Sequence, residues 1–184
     1  MEIEKLIQTV NYILKKYDYK LNYTKLIKLI YLADKEALKD SDDTITGDNY
    51  VSMENGPVLS SLYDLIRNKL SDTEYQNTWN KYFKVDGYNL LALHRNIPND
   101  ELSDFEMQIL DKIDNKFHDA TYGKMIDYLH DNCPEWKNTS SSIPIPLGDI
   151  LKSIGRTTEE IEFILQERDI FEKEKALFRN LATP

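Results

Sequence analysis

The sequence predicts an α+β protein that is predominantly α-helical, with a helical core, a small antiparallel β-hairpin or sheet and a long C-terminal helix. Three observations lead to this fold class. Apolar residues recur at steps of three and four in most segments, as on one face of a helix. Two short stretches, YVSME and NKYFKVDGYNLLAL, alternate apolar and polar residues as half-buried strands do. After Gly155, apolar side chains repeat at seven-residue intervals.

The first two predicted helices form the N-terminal part of the core. Residues 3–17 carry apolar side chains at helical spacing and predict an amphipathic first helix. Asn22 or Thr24 can cap the second helix, TKLIKLIYLADKEALK, whose apolar residues cover most of its circumference. Because a helix that is apolar nearly all round is buried, we expect the second helix to be the central element.

The stretch SMENGPVLSSLY puts a glycine and a proline inside the expected core. Asn55 and Gly56 predict a turn that tolerates positive φ. Pro57 fits the first position of a helix, where its missing N–H has no partner to lose. The sequence therefore predicts a corner between the strand YVSME and the helix PVLSSLYDLIRNKL.

Residues 80–155 predict a hairpin, three helices and a loop. Asp86-Gly87 is a favoured two-residue turn between alternating runs. Ser103 begins a capping box for SDFEMQILDKIDNKF, and Thr121 can cap YGKMIDYLHD. Two prolines in residues 138–146 predict a loop, and LGDILKSI predicts a short helix.

The last predicted helix begins at Thr157 or Thr158 and carries an apolar stripe. Glu167 and Glu174 lie within that stripe and argue against a self-pairing coiled coil. Because an isolated helix of this length is marginal in water, something must cover the stripe. The chain's own core, a second copy and another protein are the three alternatives. The stripe consists of Phe163, Ile164, Ile170, Phe171, Leu177 and Phe178.

Length and composition indicate an ordinary folded protein. A chain of 184 residues suits one domain, or one domain with an appendage, and 41% apolar with 30% charged residues is typical of such domains. No apolar run approaches the ~20 residues of a membrane span, so no membrane partner is expected. The start MEIEKLIQ does not resemble a secretion signal. One cysteine fits a reducing compartment, and we expect a cytoplasmic protein.

The sequence contains no motif that predicts catalysis. It has neither a glycine-rich phosphate loop nor a nucleophile elbow. His118, His130 and Cys133 are the best candidates for a metal or a thiol nucleophile, but zinc prefers four ligands and no paired cysteines supply them. We therefore expect a protein that is not an enzyme and needs no metal or cofactor.

The charge distribution leaves a nucleic-acid alternative open. The net charge of −9 disfavours binding to a phosphate backbone as the main role. Residues 1–31 nevertheless hold six lysines against three acids. Lys15, Lys16, Lys20, Lys25 and Lys28 could form a basic face that contacts DNA, although a solvated face of two helices is the favoured interpretation.

Tyrosines are abundant, with twelve in the chain, and several lie in the N-terminal helices. Packing explains most of them, because the ring buries its body and leaves its hydroxyl in water. Surfaces rich in tyrosine also bind proteins, since the ring offers a large contact area at low entropy cost. Tyr12, Tyr19 and Tyr23 are therefore candidates for contact with a partner, together with the C-terminal stripe.

Four stretches, in this order, resemble the Panacea domain of SocA-like antitoxins and phage-associated proteins. They are KLIKLIYLADKEAL, TGDNYVSMENGPVLSSLY, LSDFEMQILDKI and TYGKMIDYLHDNCPEW, within roughly residues 5–155. The most specific element is a helix tyrosine followed by Asn-Gly-Pro-Val and a further tyrosine, and a His/Trp segment is second. The residues that match the family motif are Tyr31, Gly47, Asn55, Gly56, Pro57, Tyr63, His130 and Trp136.

The resemblance implies a Panacea-like domain at residues 1–155 and an amphipathic helix at residues 156–184, packed on it or on a partner. It implies a non-catalytic module, most simply an antitoxin that neutralises a cognate toxin by direct contact. Some relatives instead resemble adaptors that deliver a toxin to a protease. The alternatives are a phage or mobile-element protein that binds a host protein, and a DNA-binding autoregulator.

Overall fold

The computed structural model describes residues 1–182, with the side chains of residues 172, 176 and 178–182 outside that description. The described chain is mostly helical, with two small antiparallel sheets, which confirms the predicted fold class. The helices are α1 (Ile3–Lys15), α2 (Tyr23–Ser41), α3 (Ser60–Ile66), α4 (Thr73–Tyr82), α5 (Asp104–Phe117), α6 (Tyr122–Asn132), α7 (Leu147–Ser153) and α8 (Thr158–Ala182). The strands are β1 (Lys20–Asn22), β2 (Tyr50–Met53), β3 (Gly56–Leu59), β4 (Phe83–Asp86), β5 (Asn89–Ala92) and β6 (Ile143–Ile145).

Helix α2 is the centre of the fold, as its apolar circumference predicts. It packs against α1, α5, α6, α7 and strand β3. The Asn22 side chain caps it by accepting a hydrogen bond from the Lys25 backbone N–H at 3.1 Å. All ten residues from Lys25 to Asp34 are buried, so the burial extends round the whole circumference of the helix. The elements that carry candidate contact residues therefore pack on α2, either directly or, for α8, through α7.

The Gly56–Pro57 segment differs from the prediction, because it forms strand β3 and not the start of a helix. Strand β3 pairs antiparallel with β2, with Pro57 opposite Ser52. β3 lies at the edge of its sheet, in the order β3-β2-β6, where a missing N–H is tolerated. The helix starts later, at Ser60, because the Asp48 carboxylate accepts the Ser61 and Leu62 backbone N–H groups at 3.1 and 3.0 Å.

The predicted loop at residues 138–146 is partly wrong as well. Ile143–Ile145 forms strand β6, which pairs antiparallel with β2 and completes the second sheet. Pro144 lies opposite Val51 in this edge strand. The sequence pattern did not reveal the strand because it is three residues long and contains a proline.

The hairpin at residues 80–93 is confirmed as β4 and β5, and β1 extends it into the first sheet. Its two-residue turn is Gly87-Tyr88, one position later than predicted, because Asp86 pairs with Asn89. Helix α4, just before the hairpin, was not predicted. The turn lies against the N-terminus of α2, where the Tyr88 carbonyl oxygen accepts the Tyr23 backbone N–H at 3.0 Å, and the Tyr88 side chain is 75% exposed.

The helix caps downstream agree with the sequence. Ser103 and Glu106 form the capping box of α5, and Thr121 caps α6. Helix α8 starts at Thr158, where the Thr157 side chain accepts the Glu160 backbone N–H at 3.2 Å. Across the described part of the chain, no helix combines the length and apolarity that crossing a membrane requires.

Candidate partner-binding surfaces

A buried lysine joins helix α2 to the Gly56–Pro57 segment. Lys28 is 1% exposed, and its Nζ donates a hydrogen bond to the Pro57 carbonyl oxygen at 2.7 Å. Gly56 has φ of +97°, and a Cβ at this position would lie 3.4 Å from Lys28 Nζ. Burial lowers the pKa of Lys28 to about 7. The lysine therefore holds the β2–β3 hairpin against the core.

A second polar network ties α2 to the segment after α6. The Tyr31 hydroxyl and the Lys35 ammonium both donate to the Glu135 carboxylate, with Lys35 Nζ at 2.8 and 3.0 Å from its two oxygens. The Glu135 side chain has no exposed surface, so its charge depends on this pairing. Cys133 lies nearby, with its sulfur 3.7 Å from Lys35 Nζ. Burial raises the pKa of the Cys133 thiol to about 12, which opposes a thiolate at neutral pH.

The His/Trp segment also contacts the β2–β3 hairpin. The His130 and Trp136 rings stack with centroids 3.9 Å apart and planes at 10°. Trp136 Nε1 donates to the Met53 carbonyl oxygen at 2.8 Å. His130 also lies against Gly56, since its Cδ2 would be 3.8 Å from a Cβ there. Most motif residues thus lie around one hairpin, and Gly47, with φ of +62°, lies in the loop before it.

The loop before the hairpin is held by one buried carboxylate on α2. Asp34 accepts hydrogen bonds from the Ile45 and Thr46 backbone N–H groups at 2.9 and 3.0 Å, from the Thr46 hydroxyl, and from the Tyr50 hydroxyl at 2.9 Å. Desolvation raises the pKa of Asp34 to about 6, against the lowering effect of these donors. The polar residues along α2 therefore fasten successive segments of the chain to one helix.

The N-terminal part of α2, the β2–β3 hairpin and the neighbouring elements line a pocket of about 410 Å³. We call it the tyrosine pocket. Four tyrosines line it: Tyr23 from α2, Tyr63 from α3, Tyr88 from the β4–β5 turn and Tyr122 from α6. Tyr88 and Tyr122 are 75% and 53% exposed. Asn22, Asn55, Met53, Val58 and Lys28 also line the pocket.

The candidate tyrosines of the N-terminal segment lie in different surroundings. Tyr12 donates its hydroxyl hydrogen bond to Asp111 at 2.9 Å, which links α1 to α5. Tyr19 donates to the Arg95 carbonyl oxygen at 3.2 Å and lies under the Arg95 guanidinium. Of the three, Tyr23 lines the tyrosine pocket. Tyr88 and Tyr122 were not predicted as contact residues. Tyr88 follows Gly87 in a hairpin turn and Tyr122 is the first residue after the Thr121 cap, and both kinds of position are typically exposed.

The predicted lysine face is not formed. Lys25 and Lys28 are 6% and 1% exposed, and both ammonium groups donate to backbone carbonyls, of His118 and Pro57. Lys16 pairs with Asp111 at 2.6 Å and Lys20 pairs with Asp86 at 2.9 Å. These contacts bury Lys25 and Lys28 and pair Lys16 and Lys20 with carboxylates, whereas Lys15 is exposed, so the five lysines do not form the continuous basic surface that the DNA-binding alternative requires.

The two candidate histidines and the cysteine make different contacts. His118 stacks on Tyr17, with ring centroids 4.7 Å apart, and its Nδ1 lies 3.2 Å from Asp114. His130 stacks on Trp136, and Cys133 is 2% exposed in the core. Among the residues that the structure describes, no group of three or more His, Cys, Asp or Glu side chains could hold a metal ion.

The members of the C-terminal stripe on α8 differ in burial. Ile164 is 7% exposed and packs on the core, so its assignment to a partner surface is wrong. Phe163, Ile170, Phe171 and Leu177 are 64%, 43%, 61% and 59% exposed. The side chain of Phe178 lies outside the described residues. Four members of the stripe therefore form a second exposed apolar surface.

Comparison with known families places the chain among the SocA-like antitoxins with a Panacea domain, and it belongs to that family. The family model, described as "Antitoxin SocA-like, Panacea domain", matches residues 26–137. This range runs from α2 past Trp136 and contains most of the tyrosine pocket, whereas α8 lies beyond it. Neither the curated proteins nor the solved structures contain a match to the chain.

Proposed function

We propose that this protein is an antitoxin that neutralises a cognate toxin by direct contact, and that the toxin docks at the tyrosine pocket. The observation that carries the proposal is the exposure of Tyr88 and Tyr122 over a pocket of about 410 Å³. Most of this pocket belongs to the range that the antitoxin family shares, residues 26–137. Membership in an antitoxin family implies a protein partner, and this surface can receive one.

The chemistry of the pocket suits a protein ligand. Tyrosine rings supply large, rigid contact area and retain a hydroxyl for hydrogen bonding, which is why they concentrate binding energy at protein interfaces. The Tyr23 and Tyr88 rings lie 6.4 Å apart at 42°, so they form an angled wall. Asn55 adds an exposed amide beside them. A loop of the toxin could insert one or two large side chains here.

We propose that the mechanism is non-catalytic. Binding at a preformed pocket requires no bond to be made or broken, and the chain's one cysteine is buried with a pKa raised to about 12. The ties from Lys28, Tyr31, Asp34 and Trp136 to the surrounding segments favour a rigid surface. Pre-organisation of this kind improves affinity because little conformational entropy is lost on binding.

The test is co-expression with the product of the adjacent gene. We expect the wild-type protein to restore growth and to co-purify with the toxin, and the double variant Tyr88→Ser, Tyr122→Ser to lose both. Phe105→Ser is the matched control, because Phe105 is another exposed aromatic residue, 40% exposed, outside the pocket. Both variants should keep the wild-type circular dichroism spectrum.

Toxin abundance in the same cells distinguishes two mechanisms. Direct blocking leaves the amount of toxin unchanged, whereas delivery to a protease lowers it. A harmless neighbouring gene product, with no co-purification, would contradict the antitoxin proposal. That result would favour the alternative of a phage or mobile-element protein that binds a host protein.

A further inference from the structure

The side of α8 that points away from the core carries a regular alternation of acidic and apolar side chains. Glu159, Phe163, Glu167, Ile170, Glu174 and Leu177 follow one another at steps of four or three residues. At 100° per residue they fall within an arc of about 80°, over a length of about 27 Å. All six are exposed, and we call them the α8 outer face.

Contacts on the opposite side fix the orientation of α8. Ile164 is buried and Ile161 partly buried against the core. Arg168 pairs with Asp43, and Lys175 pairs with Glu2, so the helix is tied to the body along more than two of its turns. The helix approaches α7 closely at Gly148, where a Cβ would lie 3.5 Å from Ile161. The outer face is therefore held toward solvent.

The acidic residues of the outer face decide which occupant it fits. Within the described residues, Glu159, Glu167 and Glu174 have no ion-pair partner, while the nearby Lys173 pairs with Asp169 at 2.5 Å. Two copies packed through this face would bring carboxylates of both helices into one apolar interface, which is unfavourable. An anionic membrane surface would repel the same charges. A partner with cations between its apolar side chains would pair with the glutamates and would also cover the apolar side chains of the outer face.

We propose that the α8 outer face docks a basic amphipathic helix of the toxin, with apolar side chains against Phe163, Ile170 and Leu177 and with lysine or arginine opposite the glutamates. The inference rests on the proposed function, because its occupant is part of the toxin. The outer face lies beyond residues 26–137, so it adds a contact outside the range that the family model matches. The tyrosine pocket and the outer face then act as two separate contacts with one partner.

The first test uses a labelled synthetic peptide and the full chain. The probe is an amphipathic helical peptide of about 20 residues with leucine and lysine on one face, and its charge-reversed version carries glutamate for lysine. We expect the basic peptide to bind, the acidic one not to bind, and the affinity to fall as salt is raised. The triple variant Glu159→Gln, Glu167→Gln, Glu174→Gln should bind about tenfold more weakly, since three exposed charge pairs are lost.

The matched control removes the same net charge elsewhere. Glu74→Gln, Glu101→Gln and Asp127→Asn change three exposed acids that lie on other helices and loops. This control should bind the basic peptide within twofold of the wild-type affinity. Equal weakening by both triple variants would overturn the proposal, because the effect would then come from overall charge. Equal binding of the basic and acidic peptides would overturn it too.

The second test separates this inference from the proposed function. In the growth assay with the toxin, we expect the α8 triple variant to lose protection and co-purification, while the matched control keeps both. If the α8 variant protects like wild type and the pocket variant does not, the antitoxin role stands and the α8 proposal falls. If the wild-type protein fails to protect, the antitoxin role is wrong. The peptide measurement then decides separately whether the outer face binds a basic amphipathic helix. A stable dimer in light scattering that Ile170→Ser dissociates would also overturn the proposal.

Discussion

Replacing Lys28 with methionine should remove a pH dependence from the free energy of unfolding. Burial lowers the pKa of Lys28 from 10.5 to about 7 in the folded protein. In the unfolded chain this lysine keeps its proton up to about pH 10. Between these two values the unfolded state binds more protons, so the free energy of unfolding rises as the pH rises.

The size of the effect follows from the two pKa values. A full difference of one bound proton changes the free energy of unfolding by about 1.4 kcal/mol per pH unit. Because the folded protein releases most of this proton between about pH 6.5 and 8.5, the wild-type stability should rise by about 2 kcal/mol over that window. Two other groups with shifted pKa values lie mostly outside this window: Asp34, with a pKa of about 6, titrates mostly below it, and Cys133, raised from 9.0 to about 12, acts mostly above it.

The assay is urea unfolding, followed by circular dichroism, at three pH values across this window. Lys28→Met keeps most of the unbranched side chain but removes the titrating ammonium and leaves the Pro57 carbonyl without its donor, so the free energy of unfolding of this variant should be nearly constant with pH. Lys15→Met, at an exposed position, is the control and should follow wild type. A flat wild-type profile, or the same slope in Lys28→Met, would refute the assignment of the effect to this buried lysine.

Three further changes test the contacts that hold the fold. Lys35→Met should lower the free energy of unfolding by about 3–5 kcal/mol in urea, because it leaves the buried Glu135 charge without its cation, and a loss below about 1 kcal/mol would contradict that pairing. Gly56→Ala should cost about 1–2 kcal/mol, seen as a lower Tm, because its φ of +97° is unfavourable for a residue with a Cβ. Ser103→Ala should cost about 1 kcal/mol through loss of the α5 capping box, while Ser71→Ala in an exposed bend should unfold like wild type.

The sequence was sufficient for features that depend on neighbours a few residues apart. Asn22, Ser103 and Thr121 cap helices as expected, because a cap bonds to a backbone N–H three residues along the chain. The burial of α2 follows from apolar residues on all its sides. The ordered motif around Asn55-Gly56 led to the family, since motif order is itself a property of the sequence.

Tertiary structure decided the features that need distant segments to meet. Pro57 is compatible locally with a helix start or an edge strand, and its pairing with Ser52 and the Lys28 contact select the strand. The same contact buries a lysine that charge patterning assigns to the surface. No sequence pattern around Tyr88 or Tyr122 predicts a binding site. They form a pocket with Tyr23 because α3, the β4–β5 turn and α6 meet beside α2. The physical reason is that periodicity and capping act within one or two turns of chain, whereas the burial of Lys28 and the pocket depend on contacts between residues about 30 to 100 positions apart.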